Sequence, residues 1–163
     1  MQIKPDDLTD PRVVALLELH TSTARQATVH GSAHALDIAD LKAPDIRVWT
    51  IWDSETLMGV GALKRLPERH GADHGEVKSM HTAQAQRGRG AGGAMLRHII
   101  ESARADGFRR LSLETGAREA YFAPAHRLYR RHGFVDCEPF ADYVPDPNSL
   151  FFTLDLAQAL SRP

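Results

Sequence analysis

The run Arg87-Gly88-Arg89-Gly90-Ala91-Gly92-Gly93 sets four glycines within six positions, between a segment that alternates like a strand and one that repeats like a helix. Backbone N–H groups at a helix start have no intrahelical acceptor, and they converge with the positive end of the helix dipole behind them. Glycine removes the side chains that would keep an anion at a distance. The chemistry to expect is the holding of a phosphate or pyrophosphate, with Arg87 and Arg89 placed to add charge-assisted contacts. Glycine loses more freedom on folding than any other residue, so so many together argue for a ligand.

Two nucleotide motifs compete for this turn. Gly88-x-Gly90-x-x-Gly93 fits the dinucleotide fingerprint, and Glu114 ends the next strand roughly 20 residues on, where a ribose-binding acid belongs. Against a dinucleotide-binding protein, the polar stretch Thr82 to Arg87 separates strand from glycines, the preceding strands read as an antiparallel meander, and too little chain follows Glu114 for a second half. The ATPase phosphate loop fails because Ala94 and Met95 stand where Lys and Ser or Thr must lie. Nine histidines raise the question of a metal. His70 and His74, however, fall in a predicted loop without a carboxylate-supported trio, so no metal is expected. Cys137, the only cysteine, excludes an internal disulfide and reads as a small buried apolar residue.

The elements that must position the turn follow from periodicity and punctuation. Pro11 opens a helix through Val13-Val14-Ala15-Leu16-Leu17-Glu18-Leu19 to about Arg25, with Asp10 as its cap. A shorter helix is predicted near His34 to Leu41, stopped by Pro44. Ile46–Trp52 and Leu57–Leu63 form a hairpin about the turn Asp53-Ser54-Glu55-Thr56, and Glu76–Thr82 adds a third strand. From Gly92 the apolar residues Met95, Leu96, Ile99, Ile100 and Ala103 share one helical face, and Gly107 ends it. Arg110–Glu114 is a strand, Pro124 opens a helix through Tyr129 that Gly133 closes, and Phe134-Val135 with Leu150–Leu154 supply the last strands. The expected fold is α/β (α+β): a mixed, mainly antiparallel sheet of about six to seven strands flanked by about four helices.

The 163 residues fit one domain, 1–163. With 20 basic and 21 acidic residues the net charge is −1, which gives no general attraction to nucleic acid or to an anionic membrane. The N-terminus lacks the apolar run of a signal peptide, no stretch is long enough to span a bilayer, and a cytoplasmic location is expected. Sheet edges and two tryptophans leave a homodimer open.

Strand Glu76–Thr82, the run Arg87 to Gly92, and Ala125-His126-Arg127-Leu128-Tyr129-Arg130-Arg131-His132-Gly133-Phe134 together resemble the GNAT superfamily of N-acetyltransferases. The family pattern, Arg or Gln, two residues, Gly, one residue, then Gly or Ala, falls on Arg87, Gly90 and Gly92. The resemblance implies that acetyl-CoA is the cosubstrate, its pyrophosphate on Arg87, Gly88, Arg89, Gly90, Ala91, Gly92 and Gly93. It also implies that the pantetheine arm lies along the splayed backbone of Met80, His81 and Thr82 as an added strand. Many members carry Asn where this chain has Phe122, so the contact made by that amide is missing or replaced.

Acyl transfer to an amine needs a neutral nitrogen, a donor to the oxyanion and a proton for the thiolate. By resemblance Tyr129 is the general acid, Glu76 takes the amine's proton directly or through water, and a backbone N–H near Met80 or His81 meets the oxyanion. The sequence is also similar to a bacterial subgroup at His34-Ala35-Leu36-Asp37, Leu113-Glu114-Thr115-Gly116 and Asp142-Tyr143 through Ser149. That similarity points to His34, Asp37, Glu114, Asp142 and Tyr143 at the mouth for a small amine or amino-acid-like acceptor. Direct transfer is expected because no activated Cys or Ser motif appears. The alternative in the same cleft is a catalytically silent acyl-CoA sensor.

Overall fold

The computed structural model describes residues 1–27 and 35–157 of the chain. Seven strands build one sheet: β1 (Gln2–Pro5), β2 (Ile46–Asp53), β3 (Thr56–Arg65), β4 (His74–Thr82), β5 (Arg110–Gly116), β6 (Val135–Asp136) and β7 (Ser149–Asp155). Their order is β1-β2-β3-β4-β5-β7-β6, and every neighbouring pair is antiparallel except β4 with β5. Four helices, α1 (Pro11–Ala27), α2 (Ile38–Leu41), α3 (Ala91–Ala105) and α4 (Glu119–Arg131), cover its two faces. The mixed, mainly antiparallel α/β fold expected from the sequence is the one observed.

Each face has its own core. Val13, Leu16 and Leu17 of α1 and Leu41 of α2 pack with Val48, Trp52, Val60 and Ala62 of β2 and β3. Across the sheet, Met95, Leu96, Ile99, Ile100 and Ala103 of α3 and Tyr129 of α4 pack with Trp49, Ile51, Leu63, Val77, Leu111, Leu113 and Phe152. This split is the sheet's two-residue alternation meeting two helical stripes. Asp10 caps α1 by accepting the Arg12 N–H at 2.9 Å, and Gly107 follows α3 with φ +83°, a left-handed turn that suits glycine.

Two boundaries differ from expectation. Helix α4 begins at Glu119, and Pro124 lies inside it rather than opening it. Its first turn closes earlier because the Phe122 N–H bonds to the Arg118 carbonyl at 2.9 Å. Proline in the second turn then costs the bond that an N–H would make to the Ala120 carbonyl. Helix α2 is a single turn after Asp37, shorter than the stretch predicted from His34.

Strand β4 is not regular. Val60 faces His81 and Ala62 faces Lys78, so Ser79 and Met80 together oppose Gly61. Ser79 takes φ +56°. This is a β-bulge, which re-aims the strand beyond it.

Candidate active site

A cleft opens where β4 and β5 part. They pair only at His74–Arg110, Gly75–Leu111 and Glu76–Ser112, although β4 runs on to Thr82 and β5 to Gly116. Parallel pairing stops at Glu76, three residues before the bulge at Ser79 and Met80 re-aims β4, leaving facing backbone edges unpaired. The cavity between them, about 130 Å³, is walled by Val77 to Met80 on β4 and Glu114 to Gly116 on β5. His20 and Ala24 of α1, with Leu36, close one side, and Phe122, Ala125 and Tyr129 of α4 the other.

The glycine turn lies between β4 and α3. Gly88 and Gly90 both take positive φ, +78° and +86°, with Gly90 as the residue before the helix. The amides of Ala91, Gly92 and Gly93 then have no acceptor within α3 and face outward from its positive end. A Cβ on Gly92 would stand 3.4 Å from both the Thr82 hydroxyl and Leu128, so the end of β4, the turn and α4 meet here. The two arginines differ. Arg89 is committed to Asp53 at 2.6 Å and Gln86 at 2.6 Å. Arg87 is exposed and makes no side-chain hydrogen bond or ion pair among the described residues. The turn therefore fits a pyrophosphate, with Arg87 as its available cation.

The sheet face under the cleft is unusually polar. Glu76 accepts hydrogen bonds from Lys78 at 3.1 Å and from the Tyr143 hydroxyl at 2.6 Å, and Lys78 also reaches that hydroxyl at 3.0 Å. Glu76 is buried, and a buried carboxylate needs such partners. Burial and Glu76 together hold the Tyr143 phenol well above its usual range. Phe140 and Phe151 pack edge-on against Tyr143 and fix it. Glu114 accepts from Ser149 at 2.9 Å at the wall of the cleft.

Sites expected from the sequence are thus separated. Tyr129, Met80 and Glu114 border the cavity, whereas Glu76 does not and is bonded to Lys78, which does. Asp142 points outward to Arg69 and His70, each at 3.3 Å. Asp37 accepts the Asp40 N–H as the cap of α2, which accounts for its carboxylate. His34 lies outside the described residues. Burial and the nearby Glu114 hold the Tyr129 phenol protonated well above its ordinary range. The Phe122 ring covers Gly116 and fills the wall at the position where the family resemblance leads one to expect an amide.

Sequence reasoning missed His20. It continues the inner stripe of α1, Val13 then Leu17, at helical spacing, and a histidine on an apolar stripe was the available signal. Its Nδ1 lies 3.0 Å from Nδ1 of His81, with the rings edge-on. Burial lowers His20 to about 4, with further contributions from His81 and Lys78. His81 is lowered too, by burial and then by Arg87. Both rings are therefore neutral at neutral pH.

The antiparallel run β2-β3-β4 excludes the parallel halves that a dinucleotide fold requires. Residues 13–134 match the model of the acetyltransferase (GNAT) family. The chain is 47% identical to the uncharacterized N-acetyltransferase YedL of Escherichia coli, covering 99% of this chain and 98% of that one. It is 46% identical to the uncharacterized N-acetyltransferase YsnE of Bacillus subtilis, over 96% and 100% of the two chains. A Bacillus subtilis acetyltransferase solved in complex with CoA shares the fold, with TM-score 0.67 and 18% identity over 94% and 97% of the two chains.

Proposed function

The chain belongs to the GNAT family and is an acetyl-CoA-dependent acyltransferase, and from that premise we propose that it passes the acetyl group directly to the amine of a small, amino-acid-like acceptor. The observation that carries this reading is the parting of β4 from β5 beside a helix start whose amides are free for a pyrophosphate.

Acetyl-CoA, when bound, supplies a thioester carbonyl that an amine can attack. The turn Gly88 to Gly93 and Arg87 hold its pyrophosphate, while Met80, His81 and Thr82 offer backbone groups to its arm. A β4 amide beside the bulge would serve as the donor to the oxyanion. Tyr129 borders the cleft in its protonated form and so is always a donor toward the departing sulfur. Giving up that proton entirely is uphill for a phenol held so high, so a hydrogen bond to sulfur is its main contribution. Lys78 and Glu114 bring opposite charges to the same wall, which suits an acceptor carrying both a carboxylate and an amine. Glu76 and Tyr143 hold Lys78 in place there. The lone Cys137 suits the reducing cytoplasm.

Acetyl-CoA should raise the melting temperature, and Gly90→Glu should abolish the rise by filling the pyrophosphate seat. Gly107→Glu is the control: it imposes the same left-handed strain, φ +83° against +86°, at the far end of α3. A rise that survives in Gly90→Glu would place the cofactor elsewhere. Binding without thiol release over an amine panel would leave the acyl-CoA sensor.

A further inference from the structure

We propose that His20 is the catalytic base of the transfer, its Nε2 taking the acceptor's proton while its Nδ1–H is held by Nδ1 of His81. The proposal rests on the acetyl-transfer reading of the cleft. His20 borders the cavity directly from α1, opposite Tyr129 on α4. The remaining polar groups of the wall suit the task less well. Lys78 is a cation bound to Glu76, Glu114 accepts from Ser149, and the Ser79 hydroxyl is closed off from solvent.

The histidine pair narrows the tautomers to two, with the shared proton on one ring or on the other. Two neutral rings joined through their Nδ1 atoms, 3.0 Å apart, must have one Nδ1 protonated and the other bare. With the proton on His20, its Nε2 carries the lone pair, and gaining a second proton there strengthens the bond to His81 instead of breaking it. The charged groups that face the pair are Lys78 beside His20 and Arg87 beside His81. Both disfavour stored positive charge, so the ring rests neutral, as a base must. A weak base suffices, because nitrogen becomes acidic once its lone pair is committed to carbon.

The step balances. The amine's lone pair forms the C–N bond, the C–S bond breaks with its electrons on sulfur, and the N–H proton goes to Nε2 of His20. The imidazolium then returns that proton through water to the thiolate. Amine and thioester give amide and thiol, with no other reactant.

Ring ¹⁵N–¹H NMR of the ligand-free protein, assigned with His20→Asn, reads the tautomer without any acceptor. Nδ1–H with a bare Nε2 on His20 is expected, and Nε2–H on His20 would overturn the proposal. The kinetic arm uses acetyl-CoA with the L-amino acids, or with water alone if none is acetylated. His20→Ala should lower kcat about 100-fold with KM for acetyl-CoA within about twofold, and added imidazole should restore part of the rate. An unchanged kcat would overturn the assignment, as would a loss that imidazole leaves untouched in a variant still stabilised by acetyl-CoA. Absence of that stabilisation in wild type counts against the acetyl-transfer reading itself, and the tautomer still decides the histidine pair. If His20→Ala does not fold, the tautomer decides alone.

Discussion

Tyr129 offers the cleanest separation of binding from chemistry. Its ring packs against Phe134 and Phe152, and the residue lines the cleft. Tyr129→Phe keeps the packing and removes one donor. The expected result is a kcat lower by about tenfold to 100-fold, with the acetyl-CoA-induced rise in melting temperature unchanged. A loss of that rise would make Tyr129 a binding residue instead. The glycine turn was legible in the sequence because it sits at a helix start, where local geometry is written in consecutive residues, and Tyr129 was reached through the family resemblance. The partners that fix Glu76, and His20 itself, were not legible: the first reach as far along the chain as Tyr143, and the second is defined by His81 on another element.

At the scale of elements, β5 and α4 are fitted around a missing side chain. A Cβ on Gly116 would lie between 2.1 and 2.5 Å from three atoms of the Phe122 ring. Gly116→Ala should therefore cost about 1–3 kcal/mol, read as a lower urea midpoint, and adding Phe122→Leu should recover much of it. Additive losses would show that the two residues do not meet. This contact also bears on why α4 was read late from the sequence. Pro124 is the strongest start signal in the segment, yet the helix begins before it, at Glu119. The strands β2 and β3, buried on both faces, were readable as β-branched and aromatic runs between turn residues, and the 3.6-residue stripe of α3 was readable because burial on one helix face imposes a period. The bulge at Ser79 and Met80 has no such period, and only the register against β3 reveals it.

For the whole molecule, buried and partly buried histidines should lower stability toward acid pH. His20, His74, His81 and His98 are all lowered chiefly by burial. Below the ordinary histidine value near 6.5 the unfolded chain takes up protons that the folded chain does not, so stability falls with pH. For His20 the loss runs down to about 4. The urea midpoint should thus drop between pH 7.5 and pH 5, with His20 contributing about 1–3 kcal/mol, and His20→Asn should flatten the slope. An identical slope in the variant would mean that His20 titrates normally in the fold. The parting of β4 from β5 carries a different consequence for the molecule at rest. Past Glu76, amides of β4 that point toward β5 have no strand partner, so they should trade hydrogen for deuterium quickly. Those ahead of Glu76 should be protected to the level of the surrounding sheet. Acetyl-CoA should slow the fast group alone, filling from solution a place that the protein's own chain leaves vacant.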